Sequence, residues 1–186
     1  MLYRFGDERG LYFALPNVDQ FGYPAFFYAG RVRGYKSGSN QQQFDILTNH
    51  MRFQLSEVQK VMPPDTFYFS ILRDPFSLAK SSYAYFKDLC PAFSQASSFE
   101  EFTTHPWKYY NPDLRYSHLS RNAMSFDFGF NNNANYSESL AMEVESKIRK
   151  SFNMIMLVEY FDESLVLLRH ALCWPMDAIV TFSLNV

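Results

Sequence analysis

The sequence predicts an α/β domain with a mainly parallel sheet flanked by helices. Three observations carry that reading. Two short, apolar, β-favouring runs stand far apart, Phe67–Leu72 (FYFSIL) and Met154–Val158. Each leads into a stretch with helical spacing of its apolar residues. Neither run alternates polar with apolar, as a strand with one wet face would; continuous runs suit a sheet covered on both sides.

Taken in order, residues 1–15 read as the end of a helix running into an extended stretch, with Gly10 as the stop and Pro16 closing LYFALP. Residues 17–34 are aromatic and irregular, and KSGSNQQQ at 36–43 is an exposed linker. Phe44–Asn49 (FDILTN) is a first strand candidate, followed by a short helix around 54–61 that ends at Pro63-Pro64. After the strand at 67–72, Asp74 is placed to cap a helix and Pro75 to open it. Phe76, Ala79, Tyr83 and Phe86 then share one face. Residues 90–136 are loop-rich with short helices, ending in the Asn cluster NNNAN. A second amphipathic helix spaces Leu140, Val144, Ile148 and Phe152 by four; the strand at 154–158 and a helix capped by Asp162 complete the chain. No repeat or boundary divides it, so residues 1–186 are read as one domain.

Length and composition narrow the function classes. A chain of 186 residues can bury a real core as one domain. Lys and Arg number 17 against 19 Asp and Glu, a net charge of −2, so no basic excess points to nucleic acid. Aromatic residues reach 19 %, which predicts a packed aromatic interior or a surface that stacks on rings and sugars. Two cysteines, Cys90 and Cys173, make neither a disulfide framework nor a four-cysteine zinc site. No run approaches the roughly 18 apolar residues of a membrane span, and the charged opening MLYRFGDERG is no signal peptide.

Ligands of open α/β sheets bind at the carboxyl ends of strands. Two such ends carry suitable residues. One is Arg73-Asp74-Pro75, with Lys80-Ser81-Ser82 two turns into the next helix. Arg73 beside a helix start suits a bidentate phosphate contact aided by the helix dipole, and Ser81, eight residues on, suits a second hydrogen bond. The plainer alternative is an Arg paired with a carboxylate and a Ser bonded to its own helix. The other end is Thr48-Asn49-His50-Met51-Arg52, where His50 suits a general base for a hydroxyl nucleophile. His105, His118 and His170 read as structural or surface histidines. No metal-ligand spacing and no phosphate-binding G-x-x-x-x-G-K-[ST] loop occurs. Asn135-Tyr136-Ser137 is a glycosylation sequon if the chain is secretory.

Several stretches then point further: RFGDERGLYFALPN at 4–17, TNHMRF at 48–53, VMPPDTFYFSILRDP at 61–75, SSYAYFK at 81–87, RNAMSFDFG at 121–129 and VEYFDESLVLLRHAL at 158–172. In these, and in their order, the chain resembles the galactose-3-O-sulfotransferase family, which includes galactosylceramide sulfotransferase. The resemblance implies the P-loop-like sulfotransferase fold, with 3′-phosphoadenosine 5′-phosphosulfate (PAPS) as sulfate donor and no metal. It implies a galactose-terminated glycolipid or glycan as acceptor. By family pattern, Arg73 and Ser81 hold the donor's 3′-phosphate and His50 is the catalytic base. Arg121 is a further candidate for the cofactor and Arg52 for the acceptor, each with a structural ion pair as the alternative. The implied location is the lumenal side of the Golgi membrane, reached through an anchor absent from this chain.

The family pattern also has an anchor, a first strand and a 5′-phosphosulfate loop ahead of the helix containing MLYRFG, and it continues past FSLNV. The resemblance therefore implies a chain truncated at both ends, with a sheet incomplete at the N-terminus. An inactive fragment is one reading of it. Two others are a non-catalytic carbohydrate-binding or scaffold descendant and a sulfotransferase for another glycan acceptor.

Overall fold

In the computed structural model, residues 1–38 and 43–181 are described; half of the predicted 36–43 linker and the terminal FSLNV lie outside them. Two compact units form. One comprises the described residues of Met1–Ile71 and of Arg149–Val186, the other Leu72–Ile148.

The first unit opens with helix α1, Leu2–Asp7. Gly10 stops it, at φ +64°, where a side chain would be strained. The Gly10 N–H donates to Asp7 O at 3.2 Å and the Leu11 N–H to Gly6 O at 2.9 Å, the bond pair of a Schellman end. Gly6 lies directly on the next segment: a Cβ there would sit 2.4 Å from Phe13 Cζ and 2.7 Å from Ile46 Cδ1. The strand expected over Phe44–Asn49 does not form. It reduces to one parallel bridge, Phe13 with Ile46. Asp45 explains the failure. Its N–H donates to Tyr12 O and its carboxylate accepts the Tyr12 N–H, both at 2.8 Å, so side chain and backbone close on one residue and the ladder stops. The core here is Phe21, Phe27, Val32, Val58 and Val61, all nearly inaccessible. Helix α2, Leu55–Val58, is shorter than the 54–61 expected.

Strand β1, Phe69–Leu72, forms within the predicted run. Its partner is β2, Met154–Leu157, so the sheet has two parallel strands flanked by helices, as the α/β reading requires. Asn153 fixes the register: its side chain accepts the Tyr68 N–H and its own N–H donates to Tyr68 O, each at 2.8 Å.

Leu165 and Leu168 pack with Met156 of β2 and with Ile179. They belong to the last long helix, which starts at Phe161. Asp162 is not its cap. A 3₁₀ turn, Val158–Tyr160, runs straight into the helix, so no extended residue precedes it, and Asp162 lies inside the first turn. There its charge complements the helix dipole.

In the second unit Asp74 and Pro75 open α3, Pro75–Phe86, as predicted. Short helices follow: α4 (Pro91–Ser94), α5 (Phe99–Thr104), α6 (Pro106–Tyr109) and α7 (Ala123–Asp127). They enclose an aromatic core in which Tyr83, Phe93 and Phe102 meet at centroid distances of 5.0–6.5 Å. Phe76 departs from the predicted apolar face; it is 64 % exposed and touches Phe99 edge-on. Helix α8, Glu138–Ser151, keeps Leu140, Val144 and Ile148 half-buried. The final helix, Phe161–Ala171, is α9.

Candidate active site

The carboxyl end of β1 delivers Arg73 and Asp74 into the start of α3. Asp74 Oδ1 accepts the Ser77 N–H at 2.8 Å, and Pro75 has no N–H to offer. The Ser77 backbone bond, chiefly, holds the Asp74 carboxyl below its ordinary range, with smaller help from the Ser77 hydroxyl, the Phe76 N–H and the Arg73 charge. The helix start is thus already satisfied by a carboxylate. The dipole assistance expected for a phosphate there is largely used up. Arg73 is half-buried, and no described residue accepts a hydrogen bond from its guanidinium or forms an ion pair with it. Ser81 is exposed on α3 and shares a side with Ser77, one turn earlier.

Arg121 belongs to the same unit. It follows a 3₁₀ turn, Ser117–Ser120, that packs against α3. Its guanidinium lies over the ring of Trp107 at 4.7 Å and that of Tyr110 at 5.4 Å, and donates to Asn133 O at 3.3 Å. The segment around it is tightly specified. Tyr116 and Asn122 both take left-handed backbone, at φ +66° and +47°. Asn132 donates to Arg121 O, and Asn122 returns a bond to Asn132 O, at 3.1 and 3.0 Å. Such strain persists only where the surroundings over-determine the backbone.

His50 and Arg52 lie in the other unit. His50 is exposed, with its ring edge-on to Tyr23 at 4.3 Å. Arg52 is half-buried, its guanidinium 3.9 Å over the Phe26 ring, and its carbonyl accepts the Phe27 N–H at 2.8 Å. Aromatic contacts and single bridges, not a strand, hold this segment.

The remaining histidines fit structural roles. His118 is buried and stacked on Phe126 at 4.4 Å, His105 joins α5 to α6, and His170 lies on the exterior of α9. Among the described residues no group of three His, Cys, Asp or Glu side chains could hold a metal ion. Asn135 of the sequon is exposed before α8, whose first turn Ser137 supports by accepting the Leu140 N–H at 3.1 Å. Sequence reasoning missed the Trp107–Arg121–Tyr110 cluster. The three residues are brought together by the fold of 105–133, with Trp107 on α6, and no sequence period signals it.

Comparison with known proteins gives the family. The family model described as galactose-3-O-sulfotransferase matches residues 1–186. Galactose-3-O-sulfotransferase 2 of Mus musculus is 45 % identical over 190 residues, covering 100 % of this chain and 48 % of that protein. The Homo sapiens protein of the same name is 43 % identical over 188 residues, covering 100 % and 46 %. Galactosylceramide sulfotransferase of Homo sapiens is 38 % identical over 189 residues, covering 100 % and 44 %. The chain spans about half the length of the curated relatives it matches. No solved structure matches it. With a family model matched along its whole length, the chain belongs to the galactose-3-O-sulfotransferase family.

Proposed function

We propose that this chain serves sulfuryl transfer from PAPS to the 3-hydroxyl of a terminal galactose, on a glycolipid or a glycan, at the lumenal side of the Golgi membrane. The observation that carries the reading is Arg73, half-buried at the carboxyl end of β1, with Ser81 on the helix that follows. A planar guanidinium there fits two oxygens of a phosphate, and a hydroxyl on α3 adds a third bond. PAPS, when bound, supplies the sulfuryl group and a phosphate leaving group.

The chain's own residues do the rest. Arg73 and Ser81 anchor the nucleotide by its 3′-phosphate. His50 accepts the proton of the galactose 3-hydroxyl as that oxygen attacks, and the edge contact with Tyr23 limits how the imidazole turns. Arg52, with its charge held over Phe26, is assigned to the acceptor. The galactose assignment draws on what the relatives act on by name, galactose and galactosylceramide. Whether the galactose sits on a lipid or a glycan is a choice the acceptor assay makes.

Calorimetric titration with 3′,5′-ADP tests the donor half. The intact chain should give a saturable signal, strongly weakened in Arg73→Ala and less so in Ser81→Ala. A folded chain that ignores the nucleotide, or an Arg73→Ala variant that binds it unchanged, overturns the assignment.

A further inference from the structure

We propose that Trp107 is the platform on which the acceptor galactose stacks, with Arg121 behind the indole and Asn133 at its polar rim. This rests on the galactoside reading above and adds to it a named acceptor site. Trp107 is 69 % exposed, yet it is not loose. Arg121 lies over its ring at 4.7 Å, and Tyr110 packs against it nearly perpendicular, at 6.3 Å and 82°. Tyr110 in turn bonds the Asn133 side chain through its hydroxyl, and Asn133 O takes the Arg121 guanidinium. The two left-handed residues, Tyr116 and Asn122, frame the segment that presents Arg121. The result is a largely exposed indole with a cation over one face.

The two most exposed rings lack this support. Tyr85 is 82 % exposed, and its ring meets that of the neighbouring Phe86 edge-on. Tyr136, at 84 %, lies on the sequon loop with no ring contact among the described residues. A fixed, solvent-facing indole beside charged and amide donors has the chemistry of a sugar site: a flat apolar face for C–H bonds and a polar rim for hydroxyls.

Galactose fits better than glucose for a stereochemical reason. Its axial 4-hydroxyl gathers the C–H bonds of carbons 3, 4 and 5 on one apolar face. Its 3-hydroxyl is equatorial and points out from the ring edge, so stacking leaves the reacting oxygen uncovered. Asn133, tied to Tyr110 and Arg121, supplies the amide at the rim of the stacked ring.

The test is saturation-transfer NMR of the full 186-residue chain with methyl β-D-galactoside, beside methyl β-D-glucoside. The same samples are titrated with 3′,5′-ADP by calorimetry. Saturation should be strongest at galactoside protons 3, 4 and 5. Trp107→Ala should weaken galactoside binding about tenfold or more, Trp107→Phe should recover much of it, and nucleotide affinity should stay within about twofold in both. The chain has two tryptophans, and Trp174 stacks on Phe5 at 4.0 Å, so two indole N–H resonances report separately. Galactoside should move the Trp107 signal and leave that of Trp174 in place, a readout needing no variant. Unchanged galactoside binding in Trp107→Ala, a shift of Trp174 instead, or no galactoside binding by the folded chain each overturns the platform. Nucleotide binding retained in those cases leaves the donor assignment standing; nucleotide binding lost as well brings both down.

Discussion

Two segments carry the residues proposed for chemistry, and they are held in different ways. Arg73 leaves a paired strand and enters a capped helix of 12 residues. His50 and Arg52 sit on a segment tied by single bridges and by rings, Tyr23 against His50 and Phe26 beneath Arg52. The first position is set by backbone hydrogen bonds that many sequences could form. The second depends on particular side chains and on the aromatic core beneath them. Substitutions should therefore act differently at the two: those beneath His50 on stability, those at Arg73 on binding.

The largest expected effect breaks the second region. Phe27 is 1 % exposed, packs edge-on against Phe21 at 5.1 Å, and its N–H holds Arg52 O. Phe27→Ala should cost about 3–5 kcal/mol, as truncating a buried aromatic does. Urea unfolding followed by circular dichroism checks it. A loss under about 1 kcal/mol would mean the site collapses around the gap, against the close packing described.

At the Arg73 end the expected effect is on affinity. Arg73→Ala should weaken 3′,5′-ADP about 10- to 150-fold, the range of a lost charge-assisted hydrogen bond, with the urea midpoint little changed. Arg73→Lys should recover only part, because an ammonium lacks the planar fork. Equal affinity for the Lys variant would reduce Arg73 to a point charge.

A smaller effect separates the two helix starts that follow the two strands. Asp74 caps α3 through the Ser77 N–H, whereas Asp162 only lies in the first turn of α9. Asp74→Ala should lower Tm by about 2–4 °C, and Asp162→Ala by about half that or less. Differential scanning calorimetry of both variants decides it, and equal shifts would erase the distinction.

What the sequence made legible follows the same division. β1, the Asp74-Pro75 start of α3 and the Gly10 stop were readable because backbone chemistry at those residues has few alternatives. The 44–49 segment was misread because its apolar residues promise a strand while Asp45 spends its hydrogen bonds on Tyr12. Asp162 was misread because a cap needs an extended residue before the helix, and composition does not reveal the 3₁₀ turn at 158–160. Arg73, Ser81 and His50 were singled out from strand-end position and from family pattern. The contacts of Arg121 were not legible, since Trp107, Tyr110 and Asn133 converge on it through irregular chain that no periodicity describes.

The smallest effect is acid sensitivity, and it again distinguishes the two units. In the second, Ser97 most strongly, then Tyr109 and Lys108, hold the Glu101 carboxyl far below its ordinary value of 4.5, and Asp74 is lowered by Ser77. In the first, Lys60 and then the Ala29 N–H lower Glu57. A carboxyl that binds protons less readily folded than unfolded stabilises the fold fully above its unfolded value, and that contribution fades as pH falls through the depressed folded value. The urea midpoint should therefore drop below about pH 4.5. Glu101→Gln should flatten that slope more than Glu57→Gln does, because more groups lower Glu101. All three carboxylates meet solvent, so added salt should shrink their ion-pair share and leave the share from backbone hydrogen bonds. A slope unchanged by Glu101→Gln would place the acid sensitivity elsewhere and leave the Ser97–Glu101–Tyr109 contacts as geometry without thermodynamic weight.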